Sequence, residues 1–270
     1  MNSFVHGANY YLCLKYLVML KRFSVLLIAV FIAVQSFAQL DARDTTVAAF
    51  IPYFAYAFQM PGGDLANRYG NNSTIGGGLF YKTEKNFLFS ADVNFIFGND
   101  IKNADTIMSM VETSGGHIID GNGVFAQYAL YERGYSINVR FGKIFRVLNP
   151  NPNSGILVMG GAGYIIHRMK IDNQYRTAPQ ISGDYAKGYD RLTGGIAFNE
   201  FIGYFFMGRT RVLNFYGGFE FYQAFTRSKR DYIFDQMKKD NNRYLDLFYG
   251  FKIGWMIPIY SRTPDKYYYN

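Results

Sequence analysis

The stretch Tyr244–Tyr260 reads YLDLFYGFKIGWMIPIY, and how it is read decides the fold. Successive side chains of a strand point to opposite sides, so a period of two sorts it into two faces. Leu245, Leu247, Tyr249, Phe251, Ile253, Trp255, Ile257 and Ile259 fall on one face, all of them apolar or aromatic. Asp246, Lys252, Gly250 and Gly254 fall on the other, interleaved with Phe248, Met256, Pro258 and Tyr260. An apolar face of this length reaches across a hydrocarbon layer, whereas the strands of soluble sandwiches are usually shorter. The stretch is therefore expected to be a membrane-spanning strand, with lipid on one side and a polar lumen on the other.

The rest of the composition points the same way. Of 270 residues, 19% are aromatic and only 18% charged, with 28 glycines. Aromatic and small residues at this density favour strands and close backbone packing over helices. The mean hydropathy of -0.08 excludes a bundle of membrane helices. It does not exclude a barrel, whose inner and outer residues cancel in any average.

The chain begins with a segment of a different kind. Lys21 and Arg22 precede an apolar run from Phe23 to Val34, followed by Gln35-Ser36-Phe37-Ala38 and Gln39. A basic start, an apolar core of about a dozen residues and a small-x-small end form an export signal, too short to span a membrane as a helix. Cleavage is expected after Ala38, which makes residues 1–38 a leader and 39–270 a single barrel domain. Met19 stands where such a signal ordinarily starts, so residues 1–18 are read as upstream of the true start. Cys13, the one cysteine, lies within the leader, so neither disulfides nor thiolate metal sites are expected beyond it. Without Lys15, Lys21 and Arg22 the chain has 25 basic against 20 acidic residues, and no basic patch with base-stacking character suggests a nucleic-acid partner.

From Asp41 onward no apolar run is long enough for a membrane helix, so an exported chain that enters a membrane does so with strands. Alternation and turn residues give eight of them: Thr46 to Phe58, Ser73 to Lys82, Phe87 to Gly98, Gly134 to Phe145, Gly155 to Arg168, Arg191 to Met207, Asn214 to Thr226, and the opening stretch. Pro52 weakens the middle of the first by removing a ladder donor. The fifth has two apolar faces, and its orientation stays open. In the sixth, Glu200 shares a face with Ile196, Phe198 and Ile202, and Asn199-Glu200 is read as a bulge that resets the phase. VFAQYALYER, residues 124–133, reads equally as a short helix or as strand, and a ten-strand barrel follows if it forms a separate strand. Long and short connections alternate along the chain, the pattern of outer-membrane barrels with long external loops and short periplasmic turns.

On these features residues 40–260 resemble the small outer-membrane β-barrels of Gram-negative bacteria, in the architectural class of the OmpA transmembrane domain and OmpX. Ser-Phe-Ala before Gln39, with the Tyr- and Gly-rich texture, is more similar to proteins of Bacteroidota. The chain departs from the proteobacterial pattern at its end, where SRTPDKYYYN stands in place of a terminal Phe. The resemblance implies an antiparallel up-and-down barrel in the outer membrane with periplasmic termini, and it brings no catalytic residues.

The lumen of an eight-stranded barrel is filled by side chains. Asp92, Asn94, Arg140, Glu220, Asp246 and Lys252 are expected there as a neutralising network, since unpaired charges in so narrow a space would be costly. Neither His117, in GGHIID with Asp120 close by, nor His167, near the outer end of the fifth strand, has a serine partner in a recognisable motif. Both are read as solvated loop or rim residues, and no catalysis, metal or cofactor is expected. GGG at 76–78 and GGAGY at 160–164 lack the Lys-Ser/Thr and helix of a phosphate loop and read as packed strand. In SKRDYIFDQMKKDNNR, Lys229, Arg230, Lys238 and Lys239 mix with acids as a solvated loop, with contact to anionic lipid headgroups as the second reading. Tyr175, Tyr185 and Tyr189 are candidate loop contacts for a partner, or else pack over the barrel mouth. The function expected is that of a non-catalytic scaffold or binding protein of the cell envelope, working through its external loops on an envelope protein or surface polysaccharide, with outer-membrane lipid around it. A small transport or channel barrel is the alternative, and a lipid-modifying enzyme the third reading.

Overall fold

The computed structural model describes residues 45–148, 150–208 and 212–260. The leader, Cys13, Met19 and the final SRTPDKYYYN lie outside them. The spanning strands are β1 (Ala49–Gly63), β2 (Asn72–Lys82), β3 (Phe87–Gly98), β4 (Tyr128–Phe145), β5 (Gly155–Asn173), β6 (Thr193–Met207), β7 (Asn214–Ser228) and β8 (Arg243–Met256). Each pairs antiparallel with the next, and β1 pairs with both β2 and β8, so the ring closes. Closure removes the free edges that an open sheet would expose. The two-residue β9 (Ile259–Tyr260) continues β8 along β1 in the same register, Tyr53 opposite Met256 and Phe50 opposite Ile259. Pro258, which has no N–H to give the ladder, lies in the interruption.

The fold is therefore the expected all-β up-and-down barrel with eight spanning strands. The ten-strand alternative is excluded, because YALYER forms the first third of β4 and continues into YSINVRFGKIF without a break. The preceding Val124 to Gln127 is irregular. The bulge expected at Asn199-Glu200 is also absent. Every residue of β6 from Thr193 to Met207 has one partner on β7, with no extra residue. Glu200 consequently points outward with Ile196, Phe198 and Ile202, while Asn199 is buried in the lumen.

Outside, alternate residues form an apolar belt, with Phe54, Phe58, Val139, Ile196, Phe219 and Phe251 among its exposed members. Cross-strand rings reinforce it, such as Phe89–Phe141 at 5.0 Å and Phe206–Phe215 at 4.9 Å between centroids. Connections 83–86, 146–154 and 208–213 lie at one end, and 64–71, 99–127, 174–192 and 229–242 at the other. At the short-turn end Trp255 donates its ring N–H to the Val212 carbonyl at 2.6 Å.

The long connections are stitched to one another by backbone hydrogen bonds: Lys102 to Arg68, Gly121 to Thr177, Lys229 to Leu192 and Phe234 to Gly188. The helix α1 (Ala104–Met108) lies in the second of them and buries Ile107 and Met108. These two join Leu65, Ile118, Ile181 and Tyr189 in an apolar cluster that roofs the lumen.

Candidate functional site

The lumen is filled in layers. At the short-turn end Tyr53 stacks on Phe80 with centroids 4.1 Å apart, and Tyr216 meets both rings edge-on. Phe201, Phe205 and Met256 complete this apolar floor.

Above it lies a charged layer. Arg140 on β4 donates from Nε to Asn199 Oδ1 at 2.7 Å and from Nη2 to Tyr222 Oη at 2.6 Å. Its guanidinium also lies 3.3 Å from Glu220 and 3.5 Å from Asp92. Lys252 Nζ reaches Glu220 at 2.8 Å, and the amides of Asn94 and Asn138 donate to Asp92 at 2.6 and 2.9 Å. Two carboxylates face two cations, so the layer is formally neutral, the condition under which buried charge is tolerated. The glycines of GGAGY make room for it. A Cβ at Gly161 would stand 2.8 Å from Arg140 Cγ, and one at Gly163 only 2.4 Å from Asn138 Oδ1.

A second polar layer lies nearer the long loops. His167 Nε2 is 3.2 Å from Asp246 Oδ2 and 3.1 Å from Thr193 Oγ1, while Nδ1 faces Glu132 at 3.6 Å. Thr226 and Arg68 also bind Asp246, and Asn72 donates to Glu132 at 2.9 Å. The imidazole thus stands between two buried carboxyl groups, one of which Arg68 also contacts.

Asp92, Asn94, Arg140, Glu220 and Lys252 therefore share one layer. Asp246 belongs to the other, with partners that the sequence did not suggest. His167 is not a rim residue: it is 1% exposed and lies inside the barrel. Glu132 and Arg68 were missed as well. The parity of β4 held the signal, since Ser136, Asn138 and Arg140 point inward and Glu132 follows once the strand is extended back through YALYER. Tyr175 and Tyr185 are exposed on the cap at 64% and 63%, whereas Tyr189 is buried at 5% against Phe234. Tyr189 is thus no surface contact but part of the roof. His117 is on the surface, its ring 4.4 Å from that of Phe125. In the charged last loop Arg230 grips Asp190 and Lys239 pairs with Asp231, so these cations are balanced within the cap.

Strand ring, apolar outer face and filled polar interior together define a small eight-stranded up-and-down β-barrel. No protein-family model matches the chain, and no curated protein matches it. Among solved structures the chain is similar to Neisserial surface protein A, at 13% identity and a TM-score of 0.38 over 77% of this chain and 96% of that one. It is similar to OprG from Pseudomonas aeruginosa at 10% and 0.37, over 80% and 99% of the two chains. Ail of Yersinia pestis aligns at 10% and 0.33, over 78% and 99%. At these identities and TM-scores the likeness carries no argument, and the fold rests on the closed ring of pairings.

Proposed function

We propose that the protein is a non-catalytic barrel of the outer membrane that serves the cell envelope as a scaffold or binding protein through its cap. In this reading residues 1–38 are removed on export, the short turns and both chain termini lie in the periplasm, and the cap faces outward. The observation that carries it is the cap itself. Four connections are hydrogen-bonded into a single roof, yet Phe125, Tyr175, Tyr185 and Met237 on that roof are each at least 60% exposed. Large apolar side chains displayed on an ordered support are a common form of protein-binding surface.

The filled lumen favours this reading over transport, since an aromatic floor, two polar layers and a roof pack the interior as in other eight-stranded barrels. Catalysis is disfavoured because His167, which has the carboxylate and hydroxyl neighbours of a general base, is sealed beneath the roof. Crosslinking in native envelopes followed by mass spectrometry tests the proposal. A stoichiometric envelope protein, lost when Phe125 and Tyr175 are replaced by Ser, is the expected result. Absence of the chain from the outer-membrane fraction, or no crosslinked partner, would overturn it.

A further inference from the structure

The outer wall of β4 and β5 at the long-loop end carries a concentration of charge that the barrel does not need for itself. Arg133 on β4 lies directly opposite Arg168 on β5, and Tyr131 opposite Lys170. Like charges in direct cross-strand register destabilise a sheet. Their partners do not remove the difficulty. Arg133 Nη1 donates to the carbonyls of Gly98 and Glu132 at 3.1 and 2.6 Å, contacts that orient a guanidinium without neutralising it. The carboxylate nearest Arg168, that of Asp190 at 3.5 Å, is already held by the Arg230 fork. Lys170 has no ion-pair partner among the described residues.

These cations line a surface groove of about 470 Å³ whose remaining walls include Phe95, Tyr135 and Ile166. A second groove of about 390 Å³ lies on the other side of Arg133, against Phe58, Phe97 and Tyr131. Arg133 and Arg168 stand two residues beyond Tyr135 and Ile166 along their strands, roughly 7 Å nearer the long loops, with Phe97 of β3 directly opposite Arg133. In the membrane reading, this end of the outer wall is the part that meets lipid headgroups.

We propose that this face of β4 and β5 binds the phosphate of an anionic membrane lipid, gripped by Arg133, Arg168 and Lys170, with an acyl chain lying against Phe95, Tyr135 and Ile166. The inference rests on the membrane reading above. The chemistry selects the ligand: a guanidinium fork matches phosphate oxygens in pairs, and only a lipid brings a headgroup and a hydrocarbon chain to a groove on the barrel wall. A bound phosphate also accounts for the opposed arginines, because an anion between them turns repulsion into attraction.

Arg227 and Arg243 oppose each other in the same way across β7 and β8 but lie outside both grooves, and so serve as an internal control. The experiment is native mass spectrometry of the refolded chain in zwitterionic micelles with phosphatidic acid, phosphatidylcholine or inorganic phosphate. A single phosphatidic acid is expected to be retained. In Arg133→Gln/Arg168→Gln its retention should fall about tenfold or more, while Arg227→Gln/Arg243→Gln keeps it. Without lipid, Arg133→Gln/Arg168→Gln should be at least as stable as the unaltered barrel, which a purely structural role for the arginines would not give. Equal losses in the two double variants, no loss in either, or displacement of the lipid by millimolar inorganic phosphate would each overturn the site. Heat-dependent gel mobility and fractionation of envelopes report on the barrel and its membrane independently, so a failure there is distinguishable from a failure to bind lipid.

Discussion

Glu200 is exposed midway along β6, and it is the one charged side chain on that strand's outward face. Its partner there is Gln223 on β7, which donates to Oε2 at 3.0 Å. A charged group on the lipid face destabilises a barrel most near the bilayer midplane, and a carboxylate less than a basic group. Replacing both, in Glu200→Leu/Gln223→Leu, should therefore raise stability by about 1 kcal/mol, read from urea unfolding in lipid vesicles. A loss of stability would show the pair to be engaged with something other than lipid. Arg140 presents the opposite case. Arg140→Leu leaves Asp92 buried without a cation and Glu220 with Lys252 alone, which should cost about 3–5 kcal/mol. Adding Asp92→Asn should recover part of that loss, whereas a single variant as stable as the parent would mean that the layer does not depend on the ion pairs.

The hairpin at 118–126 is the cap element with the most local design. Asp120 accepts the backbone N–H of Asn122 at 2.8 Å and of Val124 at 3.2 Å, and the Ile119–Phe125 bridge closes above it. Burial works against the charge, but hydrogen bonds from Thr177, Asn122 and Val124 prevail and hold this carboxyl below its usual value of 3.8. A carboxylate with a lowered folded value stabilises above its unfolded value and ceases to do so as pH falls through the folded one. The hairpin should accordingly stay closed at neutral pH and loosen only below about pH 4, and Asp120→Asn should remove that acid sensitivity. Amide exchange of residues 118–126 measured from pH 6 to pH 3 checks it, and an unchanged profile in the variant would count against the carboxylate. None of this was legible in GGHIID beyond the nearness of His117 to Asp120, because the contacts come from residues across a turn and from a second loop. The strands were far more legible. Phe87–Gly98 has an apolar residue at every outward position and Ser90, Asp92 and Asn94 at the middle of its inward face, so its period of two and its bounds are plain in the sequence. β5 was not oriented because small residues inside and apolar residues outside leave no contrast. The rim position expected for His167 fails for the same reason, since an inward histidine cannot be told from an outward one on a strand of unknown phase. The bulge expected at Asn199-Glu200 fails for the complementary reason: a polar residue in an apolar row looks like a break in register when it is a true exception to the belt.

As a whole the barrel is a closed ring with a blocked interior. Floor, two charged layers and roof follow one another along the axis, each made by side chains from several strands, so no single residue opens a path. Arg140 bridges Asp92, Asn199, Glu220 and Tyr222 across the lumen, and shortening it removes only one of these barriers. Tyr53, Phe80 and Tyr216 still close the short-turn end, and Phe248, Tyr69 and Tyr189 the other. Eight-stranded barrels have interiors just wide enough for such packing, which distinguishes them from the wide lumens of 16–18-stranded porins. The protein in a planar lipid bilayer should thus carry no steady ion current, and Arg140→Ala should remain silent even though it unfolds at a lower urea concentration. Discrete single-channel steps from the unaltered protein would reject the blocked interior outright. Steps that arise only in Arg140→Ala would instead show that the charged layer is the sole barrier, and that the aromatic floor beneath it opens readily.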